Sequence, residues 1–190
     1  ETVARLKPRV VEVPEGLPDA GTEISSEAVA TSVAVGKDYY YVGELRGYPA
    51  TPGTSQVWKI ERDSVDATCD PEDPWHGDCR RLADGLTSVV DLAADKRHGD
   101  VYAVSLSNQS WLAVEGGAPG SEVGALFRIS SKHRHHHRGG GHGGWHGSRV
   151  TELLEGQLVL PGGVDVADHA LYLTGPVFGP GALSKVKLHH

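Results

Sequence analysis

Apolar and polar residues alternate along this chain in short runs with a period of two, and nearly every run ends at Gly, Pro, Asn or Asp. That rhythm predicts β-strands joined by turns, not helices. Three stretches share one pattern: Thr31 to Leu45 (TSVAVGKDYYYVGEL), Thr87 to Leu106 (TSVVDLAADKRHGDVYAVSL) and Pro161 to Thr174 (PGGVDVADHALYLT). Each reads as strand, tight turn, strand. Their anchors Val33, Val90 and Val164 stand 57 and 74 residues apart, so long loops must separate the repeats. A short alternating strand with a basic residue near its end follows each pair: Val57-Trp58-Lys59-Ile60, Leu126-Phe127-Arg128-Ile129 and Leu183-Ser184-Lys185-Val186. In two repeats a fourth strand follows, Cys79 to Ala83 and Val150 to Leu154, each leading into a glycine, Gly85 or Gly156.

Four strands in a meander are the blade of a β-propeller, so the fold expected is all-β with four-stranded antiparallel blades. The opening segments Thr2 to Leu6 and Val10 to Val13 read as the outer strands of a preceding blade. The expected organisation is 1–16 outer strands, 28–86 a blade, 87–158 a blade with a His/Gly-rich loop at 132–147, and 160–188 an incomplete last blade. That makes 13 strands, about three and a quarter blades, an arc whose two end faces need a cover. A β-sandwich of the same strands is the rival architecture.

Composition agrees with this reading. With 25 Gly and 11 Pro in 190 residues, long helices are disfavoured, and no apolar run is long enough to cross a bilayer as a helix. A net charge of −7 argues against a protein that binds nucleic acid or anionic membrane with its whole surface. Cys69 and Cys79 bracket the polar, Pro-containing loop DPEDPWHGD, a spacing that suits a disulfide formed in an oxidising compartment; two free thiols in a reducing one are the alternative. Asn108-Gln109-Ser110 is an N-glycosylation triplet, relevant if the chain passes through a eukaryotic secretory pathway.

The stretch from Ala30-Thr31-Ser32-Val33-Ala34-Val35-Gly36 through Tyr41-Val42-Gly43-Glu44-Leu45-Arg46-Gly47-Tyr48-Pro49, then Pro52-Gly53 and Val57 to Ile60, resembles the ScyD/ScyE-type family of secreted, NHL-like propellers. Ser88-Val89-Val90-Asp91-Leu92-Ala93 and Leu160-Pro161-Gly162-Gly163-Val164 resemble later blades of the same family. The resemblance implies the C-terminal half of a six-bladed ring, secreted or otherwise periplasmic or attached to the cell wall, of unassigned activity. The partner it implies is the N-terminal half of the same propeller, or a second copy, closing the ring. The family's G-P-D-G turns are replaced here by Gly36-Lys37-Asp38-Tyr39, Ala94 to Asp100 and Ala167-Asp168-His169-Ala170, with an Asp kept in each.

Two constellations offer chemistry. His133, His135, His136, His137, His142 and His146 crowd one Gly-rich loop, within a stretch from Val123 to Thr151 that holds five Lys or Arg and no carboxylate. Imidazoles at this density suit Zn, Cu or Ni, whereas the arginines favour an acidic surface or polyanion; a plain solvated loop is the third reading. Glu44, Asp91 and Asp165 are the candidates for a channel lined by the inner strands. Asp91 and Asp165 occupy one place in successive repeats, where two carboxylates would hold Ca for ester or lactone hydrolysis, or would accept backbone N–H groups from a neighbouring blade. Glu44 either pairs with Arg46 or lines the mouth. No nucleophile elbow, phosphate loop or dinucleotide fingerprint is present. The function expected is a secreted binding module, with a metal-dependent hydrolase as the alternative.

Overall fold

The period-two pattern resolves into 15 strands and one short helix in a computed structural model that describes residues 1–130 and 148–188. β1 (Ala4–Leu6), β2 (Arg9–Glu12) and β3 (Glu23–Ser26) open the chain. The first large sheet contains β4 (Ala28–Val35), β5 (Tyr39–Arg46), β6 (Ser55–Glu61) and, after the short β7 (Ala67–Cys69), β8 (Cys79–Leu86). The second contains β9 (Val89–Ala94), β10 (Val101–Ser105), β11 (Val123–Ser130) and β12 (Arg149–Val159), with α1 (Trp111–Glu115) between β10 and β11. β13 (Gly163–Ala167), β14 (Ala170–Gly175) and β15 (Ala182–Lys187) form the third. All three are antiparallel meanders whose neighbours follow chain order. Among the described residues they do not close into a ring.

Sheet packing explains why β10 reads as an unbroken apolar run, Val-Tyr-Ala-Val, and is buried along its whole length. Its odd positions Val101 and Ala103 enter a core shared with Tyr41, Val57, Leu82 and Leu86 of the first sheet. Its even positions Tyr102 and Val104 enter a core shared with Val164, Leu171 and Leu173 of the third. A strand covered on both faces has no solvent side on which to place polar residues. Close approach of the first two sheets requires Gly43, where a Cβ would stand 2.8 Å from Ser32 Oγ and 2.9 Å from Val89 Cγ1.

The first strands of successive sheets are also tied by hydrogen bonds. Thr31 Oγ1 donates to Val89 O at 2.8 Å, and Val164 N donates to Asp91 Oδ2 at 2.8 Å. α1, N-capped by Ser110, adds a tie between the first two sheets: Trp111 Nε1 donates to Arg46 O at 2.7 Å and Trp111 N donates to Ser88 Oγ at 2.8 Å.

One expected pairing is different. β1 and β2 are not the adjacent outer strands of one sheet: β1 runs parallel to β7, and β2 pairs with β3 in antiparallel register, Val11 opposite Ile24. Only Lys7-Pro8 separates β1 from β2. A two-residue hairpin needs positive φ at its first turn residue, which Lys7 does not adopt, and proline fixes negative φ at the second. β3 and β7 are too short and polar for periodicity to reveal, which is why the strand count exceeds the 13 expected.

Cys69 and Cys79 form a disulfide with a Cα–Cα distance of 5.0 Å, tying β7 to the start of β8, and both residues pack fully buried against Trp58 and Ile60. For a separation of 10 residues, removing it is expected to lower stability by about 2–3 kcal/mol. Urea unfolding of the Cys69→Ser/Cys79→Ser variant measures this, and an unchanged midpoint would contradict the structural role given to the bridge.

Candidate functional site

β4, β9 and β13 each have one neighbour in their sheets, so each offers a free edge, and these three edges converge on one cavity of about 540 Å³. Val33, Ala34, Leu92, Ala93 and Val166 are among the residues of its wall. Its rim is charged because the hairpin turns following β9 and β13 close over it. The β9–β10 turn contributes Asp95, Lys96, Arg97 and His98; the β13–β14 turn contributes Asp168 and His169, and Asp165 stands beside them.

Local chemistry fixes both turns. Asp95 Oδ1 accepts from the backbone N–H groups of Arg97 and His98, at 2.9 and 3.3 Å, and its Oδ2 meets His98 Nδ1 at 2.7 Å. Burial alone would raise the Asp95 carboxyl, but the His98 ring and these two backbone donors outweigh it and hold the group below the usual carboxylate range. The β13–β14 turn has positive φ at both central residues, Asp168 at 49° and His169 at 59°, the geometry of a two-residue type I′ hairpin. The turns meet: Arg97 Nη1 donates to His169 Nε2 at 3.2 Å, and the His98 and His169 rings lie 6.5 Å apart. Guanidinium is donor-only, so His169 Nε2 is the acceptor here.

The channel candidates separate. Asp165 lines the cavity, and its Oδ1 accepts from Val166 N at 2.8 Å. Asp91 is spent on Val164 N, tying the second sheet to the third, as the structural alternative had it. Among the described residues no group of three or more His, Cys, Asp or Glu side chains is disposed to hold a metal ion. Glu44 does not line the cavity at all: it is 1% exposed and bound to Arg46.

That buried pair belongs to a closed hydrogen-bonded circuit. Arg46 Nη2 donates to Glu44 Oε1 and, at 3.1 Å, to Thr54 O; Arg9 Nη1 reaches the same carbonyl at 3.3 Å and Asp84 Oδ1 at 2.7 Å. Arg81 Nη1 lies 2.9 Å from Asp84 Oδ2, and Gln56, with its amide assigned nitrogen toward Glu44 Oε1 and oxygen toward Arg81 Nη1, bridges the two. Arg46 Nη1 also donates to Ser26 O at 3.3 Å. Burial pushes the Glu44 carboxyl up to about 7, against Arg46, the Trp58 indole and Arg9, with Asp84 adding to the push.

His133, His135, His136, His137, His142 and His146 lie outside the described residues. Asn108 is exposed, with its backbone N–H bonded to Val123 O at 2.8 Å. The rim residues Arg97, His98 and His169 had no place among the sequence candidates. The signal for them was the altered turn chemistry, with a histidine in the corresponding turn of two successive repeats. Compared with family models, curated proteins and solved structures, the chain finds no match.

Because folded Glu44 keeps a proton that the unfolded chain releases near 4.5, its contribution to stability is complete below that pH and is lost as pH rises through about 7. Urea unfolding from about pH 5 to about pH 8 is expected to show a decline on the order of 3 kcal/mol that is absent in Glu44→Gln. Equal slopes in the two proteins would contradict the protonated buried carboxyl. Asp91→Ala, which orphans the Val164 N–H, is expected to cost about 1.5–3 kcal/mol in the same measurement, with hydrogen exchange accelerated first in β13.

Proposed function

We propose that this chain is part of a secreted β-propeller of the ScyD/ScyE-like kind, acting as a binding module whose ligand engages the cavity where the first strands of successive blades converge. The observation carrying this reading is the cavity itself: three strand edges converge beneath hairpin turns that contribute Asp95, Lys96, Arg97, His98, Asp168 and His169, the arrangement of a site that orients a polar ligand. The disulfide, with both cysteines of the chain in it, accords with secretion. In this reading the remaining blades of the ring cover the end faces, where Leu183 of the third sheet is exposed.

Binding is favoured by the lining over acyl transfer to a hydroxyl or thiol nucleophile. That lining offers an Asp95–His98 pair able to accept a proton, but no Ser, Thr or Cys to act as nucleophile. Titration with phosphate, citrate and free amino acids, followed by NMR, tests the proposal: at least one is expected to shift the Arg97, His98 and His169 resonances, and Arg97→Ala to weaken it by at least fivefold. No response at the rim to any of them would overturn this site. Ester hydrolysis abolished by chelator would replace binding with the hydrolase reading.

A further inference from the structure

Opposite charges face the cavity without pairing. Lys96 and Arg97 come to it from the β9–β10 turn, and Asp165 and Asp168 come from β13 and the turn that follows. None of the four enters an ion pair among the described residues. Arginines elsewhere behave differently: Arg5, Arg9, Arg46, Arg80, Arg81 and Arg128 each hold a carboxylate. Arg97 instead donates to His169 Nε2 at 3.2 Å, and His169 is the residue next to Asp168. A ring nitrogen that accepts this bond carries no proton of its own, so it holds the guanidinium in place without cancelling its charge.

The carboxylates are equally open. Asp168 accepts no side-chain hydrogen bond among the described residues, and Asp165 uses only Oδ1, which accepts from Val166 N at 2.8 Å. Asp95 is the exception, taken up by His98 and by the backbone N–H groups of Arg97 and His98. The lining therefore sets two open cations against two open carboxylates, with the Asp95 charge beside them. A ligand that is only an anion meets three carboxylates, and one that is only a cation meets Lys96 and Arg97. A ligand with both charges satisfies all four open groups.

Size and wall narrow the class further. A cavity of about 540 Å³ falls within the range of small-molecule sites, and Val33, Leu92 and Val166 border the same space. Because the two turns touch through Arg97 and His169, a ligand whose charges sit on one carbon can meet both turns. We propose that the cavity binds a free amino acid with an uncharged side chain. Its carboxylate lies at Arg97 and Lys96, its ammonium group at Asp168 and Asp165, and its side chain against Leu92 and Val166. The inference rests on the binding reading given above and narrows it to one ligand class.

The test is NMR titration of the full chain at about pH 7, where an α-amino group is still mostly charged. The probes are leucine, N-acetyl-leucine, which keeps only the carboxylate, and leucinamide, which keeps only the ammonium group. Leucine is expected to shift the amides of both Arg97 and Asp168 and to bind at least tenfold more tightly than either blocked form. Arg97→Gln is expected to weaken leucine and N-acetyl-leucine at least fivefold and to leave leucinamide unchanged. Asp168→Asn is expected to weaken leucine and leucinamide at least fivefold and to leave N-acetyl-leucine unchanged; asparagine tolerates the φ of 49° at this position. Unchanged exchange of the Val164 amide shows that each variant keeps its sheets together. N-acetyl-leucine binding as tightly as leucine, leucine binding that neither variant weakens, or a rim that answers only to phosphate or citrate would overturn this proposal and leave the binding module standing. A rim that answers to none of these compounds would overturn both.

Discussion

The buried circuit centred on Glu44 and Arg46 holds the first sheet in its observed form. It draws on β2 through Arg9, β3 through Ser26 O, β5 through Glu44 and Arg46, β6 through Gln56, and β8 through Arg81 and Asp84, with the Thr54 carbonyl at its centre. Arg46 and Glu44 are 2% and 1% exposed, so without these hydrogen-bonding partners the Arg46 guanidinium would be an unsatisfied charge away from water. That constraint docks the β2–β3 pair against the outer strands. It also fixes the Arg46 carbonyl that receives the Trp111 indole from the second sheet.

From that anchor, order passes inward through the ties between sheets. Thr31 to Val89 and Asp91 to Val164 set the first strands of the three sheets side by side, and the two apolar cores behind them hold the sheets at a fixed spacing. The cavity follows from this geometry. Strands whose free edges converge bring their following turns together, which is how Arg97 and His169, 72 positions apart, come into hydrogen-bonding contact.

The two ends of the stack are finished differently. At the first sheet, β1 and β7 lie over Trp58, Ile60 and the disulfide and cover part of the outer face, leaving Val33 and Val35 near the inner edge exposed. At the third sheet nothing comparable is present among the described residues, and Leu183 and Phe178 are more than two-thirds exposed.

How much of this was legible in the sequence depends on the range of the interactions involved. The unbroken apolar run of Val101 to Val104 and the alternation of Val164 to Ala167 both report burial of a strand's own side chains, so the strands of the three large sheets and their meander order could be read from the chain. The disulfide was legible because its partners are close in sequence. The β1–β7 pairing was not, since three-residue strands carry no measurable period and their partners are chosen by what remains uncovered on the first sheet. Glu44 shows the limit most clearly. Its position beside Gly43 suited either a cavity mouth or a buried pair, and only the approach of Arg9, Gln56, Arg81 and Asp84 from other strands decided for burial. Sequence alone determined the elements, because local patterning encodes which face of a strand meets water; tertiary structure decided which charged groups would meet, because a buried charge takes whatever partner the packed sheets bring within reach.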